Sequence, residues 1–277
     1  YEIMPSLVGS EMCIRDRAFE SIPTPLKERS ESKGIENGIT MVIDEGIGYR
    51  EAQDLVELAA DYIDIIKIAF ATARLYDNKL LRRKVELYRK NGIDVMPGGT
   101  FFEIAVFQNK LDEFLNEAKN LGFSMIEISD GTIDMSDEER LEAINKVKDK
   151  GFKIIAEVGK KMKDRDLSGE EYAKGILRDI NNGVDLVIVE ARASGKGIGI
   201  WDEKGNPREE KLNLIVKNID VRHLLFEAPN KNQQVYLIKR FGPTVNLGNI
   251  KPKEILAVES LRRGLRGDTF LMAYKQH

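Results

Sequence analysis

Cysteine is almost absent from this sequence. Among 277 residues Cys13 stands alone, which excludes an intramolecular disulfide, a cysteine-rich zinc site and a CxxC redox pair. Histidine is nearly as scarce, with only His223 and His277, so a histidine-rich metal centre is not expected either. Any bound metal has to take carboxylate oxygens, which suits Mg²⁺ or Mn²⁺. An excess of one charge is missing too. Lys and Arg number 43 against 46 Asp and Glu, and the net charge of −3 carries no polyelectrolyte signature of a nucleic-acid partner. An anion site in such a chain must be built locally. No apolar run approaches the roughly 18 to 20 residues that span a bilayer, and the first residues lack the charged and apolar regions of a secretory signal. The expectation is a cytoplasmic protein that handles small molecules, with no nucleic-acid or membrane partner.

What is present is an ordinary globular composition, 42% hydrophobic and 32% charged, in a chain long enough for one large core. Residues 1–17 show neither helical nor strand periodicity, and their segment SLVGSEMCIRDR resembles translated adapter sequence. Residues 1–22 are therefore read as a non-native or disordered leader in which Cys13 has no functional meaning, and residues 23–277 as a single domain. From Thr40 onward, short runs of β-branched and apolar residues alternate with amphipathic helical stretches. Strands are expected at 40–43, 63–67, 93–96, 125–129, 153–158, 184–190, 223–226 and 244–247. Between them lie helical patterns such as YREAQDLVELAADY and FEIAVFQNKLDEFLNEAKNLG, several ending in a glycine C-cap. Eight β-then-α repeats point to parallel strands that close into a (β/α)8 barrel. A doubly wound open sheet is the alternative, but DEGIGYRE after the first strand holds only Gly46 and Gly48 and lacks the G-x-G-x-x-G turn.

In a barrel the active site lies at the C-terminal ends of the strands. Residues there include Asp44, Glu45, Lys67, Glu127, Ser129, Asp130, Glu157, Lys160, Glu190, Arg192, Glu227, Asn230, Asn246 and Asn249. Glu127, Glu157, Glu190 and Glu227 follow apolar runs at separations of 30, 33 and 37 residues, once per β/α unit. Such spacing brings carboxylates around one mouth, where three could hold a divalent ion. A ring of carboxylates and lysines satisfying one another is the bland alternative. Lys67, Lys160 and Arg192 are candidate cations for an anionic substrate, or partners in structural ion pairs. Gly98 and Gly99 in PGGTFFE offer backbone N–H groups to an anion, with Thr100 as a possible helix N-cap. ARASGKGIGIWDEKGN, with Ser194 and Lys196, has the look of a phosphate-gripping or lid loop. NLGNIKPKE, with Gly248 and Asn249, falls where barrels often bind phosphate. Phosphate is expected at one of these last two loops. His223 opens a strand away from the mouth and is read as structural; Trp201 either covers substrate or anchors its loop.

The segments TMVIDEGIG, DIIKIAFAT, VMPGGTFFEIA, IEISDGTI, IIAEVGKK, VIVEARASGKGIGI, LLFEAPNKNQQ, VNLGNI and LRRGLRGDTF resemble phosphosulfolactate synthases in order and spacing, over roughly residues 23 to 270. The resemblance implies a (β/α)8 barrel that adds sulfite to phosphoenolpyruvate with Mg²⁺, giving (2R)-phospho-3-sulfolactate, a first step towards coenzyme M. By matching motif it carries over Lys67, Glu157, Lys160, Glu190, Arg192 and Glu227. In that chemistry, attack at the methylene carbon pushes charge into the carboxylate, giving an aci-carboxylate that Mg²⁺ would stabilise. Lys160 is then the expected proton donor, with Lys67 and Arg192 binding phosphate, carboxylate or sulfite, and Glu157, Glu190 and Glu227 the expected metal ligands. A homo-oligomer is expected. Alternatives are a related barrel acting on another phosphorylated anion, a Schiff-base aldolase or isomerase, and a non-catalytic stress-associated member of the same family.

Overall fold

The computed structural model describes residues 18–29 and 32–274; the 1–17 segment with Cys13, and His277, lie outside the described residues. Eight parallel strands form the centre: β1 Thr40–Asp44, β2 Ile65–Ile68, β3 Asp94–Pro97, β4 Met125–Ile128, β5 Lys153–Val158, β6 Leu186–Val189, β7 Leu224–Glu227 and β8 Asn246–Ile250. Their order is β3-β2-β1-β8-β7-β6-β5-β4, with β1 paired to β8, so the chain forms the (β/α)8 barrel that the alternation predicts. The helices are α1 Tyr49–Ala59, α2 Asn78–Lys90, α3 Gly99–Phe107, α4 Leu111–Leu121, α5 Asp137–Asp149, α6 Gly169–Asn181, α7 Glu209–Val216, α8 Lys231–Phe241, α9 Ile255–Arg262 and α10 Gly267–Tyr274. Among the described residues no helix is long and apolar enough to cross a membrane.

Strand alternation sorts the side chains into two cores. One parity, with Val42, Ile66, Val95, Ile126, Ala156, Val187 and Phe226, packs outward against the helices. The other, with Met41, Ile65, Met96, Met125, Ile155, Leu186, Ile188 and Leu225, fills the barrel axis. Two residues further along the same inward face come Lys67 after Ile65, Glu127 after Met125, Glu157 after Ile155, Glu190 after Ile188 and Glu227 after Leu225. A plug of apolar side chains thus supports a layer of charged ones at the C-terminal mouth.

Three expectations are corrected. First, β8 lies further along the chain than 244–247, so Gly248 and Asn249 are strand residues rather than loop residues. A Cβ on Gly248 would sit 2.3 Å from Leu225 Cδ2 and 2.9 Å from Met41 Cε. Gly248 is therefore glycine because the axial core packs into its place, and it does not line the mouth. Second, the long helical pattern after β3 is two helices. It breaks at Asn109, which takes a left-handed conformation (φ 56°) that asparagine tolerates better than most residues. Third, Asp44 is not at the mouth. It is on the outward parity of β1, buried against α2, where it accepts from Lys84 Nζ at 2.6 Å and Tyr88 Oη at 3.1 Å.

No ladder joins β3 to β4 among the described residues. The two strands are tied at the opposite end from the mouth, where Ser124 N–H donates to Val95 O at 3.1 Å and the Ser124 hydroxyl accepts Val95 N–H at 3.0 Å. At the mouth the seam is spanned by side chains instead, as described next.

Candidate active site

A cavity of about 360 Å³ opens at the C-terminal mouth, lined among others by Lys67, Thr100, Glu157, Lys161, Glu190, Arg192, Ser194, Glu227 and Asn249. Glu157, Glu190 and Glu227, from three adjacent strands, are all buried, and each offers a carboxylate oxygen within 4.8 Å of the others. Lys67 Nζ stands between carboxylates, 2.7 Å from Glu127 Oε1, 3.5 Å from Glu227 Oε1 and 3.7 Å from Glu157 Oε2. Lys161 Nζ is 3.0 Å from Glu103 Oε1, 3.1 Å from Glu157 Oε1 and 3.3 Å from Thr100 Oγ1.

These contacts fix which groups are charged. Burial works against the Lys67 ammonium, but Glu127, Glu227 and Glu157 outweigh it and hold its pKa well above the ordinary lysine value. Lys161 is raised in the same way, with burial opposed by Glu157, Glu190 and Glu103. Burial alone would raise Glu157, yet Lys161 and Lys67 keep it well below the usual carboxylate range. For Glu190 the same two lysines are outweighed: burial first, then Glu157 and Glu227, push its carboxyl well above that range against the pull of Lys161 and Lys67. Five carboxyl groups, counting Glu103 and Glu127, face the two ammonium groups of Lys67 and Lys161. The surplus of negative charge must be met by protons or by a cation. An all-oxygen, all-carboxylate donor set with nearby charge to spare is the chemistry a hard divalent ion takes, so the residues present fit Mg²⁺.

The structure brings together most, but not all, of the residues expected from the sequence. Lys67, Gly99, Glu157, Glu190, Glu227, Arg192, Ser194 and Asn249 meet in the cavity. Arg192 sits at the rim in a left-handed backbone conformation (φ 62°), its N–H donating to Glu190 Oε1, and its guanidinium makes no ion pair among the described residues. Asn249 is also left-handed (φ 54°) and 2% exposed, and its Oδ1 has no hydrogen-bond partner among the described residues. A buried, unsatisfied acceptor costs stability unless something meets it, and this one lies on the cavity wall, within reach of a water or a bound molecule.

Lys160 is placed elsewhere. Its ammonium turns out of the mouth to Asp130 O at 2.7 Å, Ile133 O at 3.0 Å and the Asp130 carboxylate at 3.4 Å. It lines a separate, smaller cleft of about 210 Å³ with Asp130 and Arg178. Its neighbour Lys161, which the sequence reading passed over, is the lysine in the cavity. Lys161 is an even number of residues from inward-facing Glu157 and Lys160 an odd number, but β5 ends at Val158 and the chain turns at Gly159 (φ 139°), so the sequence alone does not carry that parity through. Glu103 on α3 was missed as well, and Thr100, expected only as a helix cap, lines the cavity. The PGG turn also differs from expectation. Gly98 N–H donates to Ile68 O and Gly99 N–H to Glu127 Oε2, both at 2.8 Å, so neither is free for an anion. A Cβ on Gly98 would lie 2.5 Å from Phe70 O, which accounts for that glycine by packing. The helix N-cap is Gly98, not Thr100.

Lys196 is exposed and outside the cavity lining. Trp201 is fully buried and anchors its loop, donating from Nε1 to Glu227 O at 3.0 Å. His223 Nδ1 is 2.9 Å from Asp185 O, away from the mouth. Asn246 bonds Ile39 N, Arg222 O and Leu224 O at the opposite end of the barrel, and Asn230 caps α8.

Comparison with known proteins places this geometry. A family model described as (2R)-phospho-3-sulfolactate synthase (ComA) matches residues 28–268. The phosphosulfolactate synthase of Methanocaldococcus jannaschii is 46% identical over 237 residues, 85% of this chain and 94% of that protein. That of Methanothermobacter thermautotrophicus is 44% identical over 254 residues, 91% of this chain and 97% of that protein. Among solved structures, 3-hexulose-6-phosphate synthase from Salmonella typhimurium aligns with a TM-score of 0.51 at 12% identity, over 86% of this chain and 100% of that one, a likeness of fold alone. The chain belongs to the (2R)-phospho-3-sulfolactate synthase family of enzymes.

Proposed function

We propose that the chain catalyses addition of sulfite to phosphoenolpyruvate, with Mg²⁺, to give (2R)-phospho-3-sulfolactate. The observation that carries this reading is the meeting, in one cavity, of a buried carboxylate trio with two ammonium groups and a rim guanidinium. Both substrates are anions, and their repulsion in a mouth shielded from water has to be offset by fixed positive charge. Held by Glu157, Glu190 and Glu227, Mg²⁺ would supply Lewis-acid stabilisation of charge that develops on the substrate carboxylate.

The chain's own groups supply the rest. Arg192, at the rim and without an ion pair among the described residues, meets a phosphate or sulfite oxygen through its planar fork. Lys67, immobilised among three carboxylates, orients the carboxylate end of the substrate. The sulfur lone pair forms the new C–S bond at the methylene carbon while the C=C π pair shifts towards the carboxylate. Lys161 Nζ then delivers a proton to the adjacent carbon as that pair returns, and regains one from solvent. This assigns the proton to Lys161, not Lys160, because only Lys161 reaches the cavity.

The test is phosphoenolpyruvate consumption by the purified protein with and without sulfite and Mg²⁺, with product identified by mass spectrometry. Product that requires both additions supports the reading. A folded protein that consumes phosphoenolpyruvate without sulfite, or not at all, overturns it.

A further inference from the structure

Glu103 is 2% exposed on α3, outside the cavity lining, and it gathers donors from two other parts of the chain, the 129–132 segment and Lys161. Its Oε1 accepts from the Ser129 hydroxyl, from Gly131 N–H at 3.1 Å and from Lys161 Nζ at 3.0 Å; its Oε2 accepts from Thr132 N–H at 3.1 Å. The two backbone donors belong to the turn after β4. A carboxylate bound at both oxygens by backbone N–H groups is fixed in position, and its remaining partner is fixed with it.

The location of this bond set gives it a purpose. β3 and β4 share no ladder among the described residues, and their Ser124–Val95 bonds lie at the end away from the mouth, so at the mouth strand pairing does not set where α3 stands relative to β4. Two carboxylates do so instead: Glu127 on β4 accepts Gly99 N–H at the start of α3, and Glu103 on α3 accepts the N–H groups beyond β4. Lys161 hangs from the same helix twice, through Glu103 and through Thr100 Oγ1 at 3.3 Å. Glu157 Oε1 at 3.1 Å and Ser129 Oγ at 3.4 Å hold the same ammonium from β5 and the end of β4, so a shift of α3 across the seam would pull it off its place between the two sides.

We propose that Glu103 is a positioning residue: it latches α3 to the 129–132 turn across the β3–β4 seam and thereby fixes the Lys161 ammonium over the mouth. The inference rests on the reading of Lys161 as the proton donor. Glu103 itself touches no substrate.

Glu103→Gln keeps the side-chain volume but turns one acceptor into an NH₂ group facing an N–H donor, so one arm of the latch must open. A misplacement of the donor on the scale of an ångström costs about 10²-fold in rate. We therefore expect kcat of Glu103→Gln to fall by about tenfold to a hundredfold, while KM for phosphoenolpyruvate stays within about twofold. The amides of Gly131 and Thr132 should exchange hydrogen about tenfold faster or more. In Lys161→Ala the Glu103→Gln change should have no further effect on kcat, because a positioning role vanishes with the group it positions. Full additivity of the two losses, or unchanged exchange at Gly131 and Thr132, overturns the proposal. If the wild-type protein makes no phosphosulfolactate, the reading of function falls on its own. Glu103 is then judged by the exchange measurement and by a crystal structure of Glu103→Gln, in which an unmoved Lys161 Nζ overturns the latch.

Discussion

Lys160 and Lys161 are adjacent in the chain and opposite in what they face. Lys160 is bound by two carbonyls and the carboxylates of Asp130 and Asp134 outside the mouth, whereas Lys161 stands over Glu157 inside it. Lys161→Ala should lower kcat by about 10²-fold or more, and Lys160→Ala by less than about fivefold, in steady-state assays of the two variants. The reverse order would show that the proton comes from the other side of β5. Glu190 makes a second claim at this scale. Its folded-state pKa is raised, so the native protein holds a proton that the unfolded chain releases, and this group's contribution to stability declines as pH rises above the ordinary carboxylate range. Metal binding has to expel that proton, so Mg²⁺ should raise Tm more at about pH 8 than at about pH 6. A Tm increase independent of pH, or none, would contradict the assignment of Glu190 as a ligand. The glutamates were legible in the sequence because each ends an apolar run that can only be a strand. The lysine was not, because a KK doublet beyond a strand end leaves the parity of the turn open. Glu103 was hidden by FFEIAVF, whose apolar neighbours give no reason to expect a buried carboxylate.

At the scale of elements, the alternation of apolar strands and amphipathic helices was enough to place all eight strands, and β5 at its full extent. The register of β8 was not readable, since VNLGNI has asparagines on both sides of one leucine and no clear apolar face. The structure settles it through Gly248, whose missing side chain is occupied by Leu225 and Met41. Gly248→Ala should therefore destabilise the fold by about 1 to 3 kcal/mol through overpacking, measured by denaturant unfolding. A neutral effect would mean that Leu225 can swing aside and that β8 is less tightly seated than described. The break between α3 and α4 at Asn109 escaped detection for a similar reason: the helical periodicity runs through it, and only the backbone conformation of one residue interrupts it.

For the molecule as a whole, the division of labour follows from one rule of strand geometry. Inward parity carries apolar residues up to the middle of the barrel and charged residues beyond it, so a single periodic pattern both closes the core and builds the mouth. Outward parity holds the helices, and where it carries charge, as in Asp44 with Lys84, the pair is buried and complete. The β3–β4 seam, bridged at the mouth by carboxylates from α3 and β4, is where barrel architecture and site architecture meet. The most direct test of the central claim is to run the reaction of phosphoenolpyruvate, sulfite and Mg²⁺ in D₂O and follow the product by NMR. The account expects phosphosulfolactate bearing one deuteron, on the carbon next to the carboxylate, with its formation lost in Lys161→Ala and kept in Lys160→Ala. Absence of this product from the folded wild-type protein, or undiminished formation in Lys161→Ala, would contradict it.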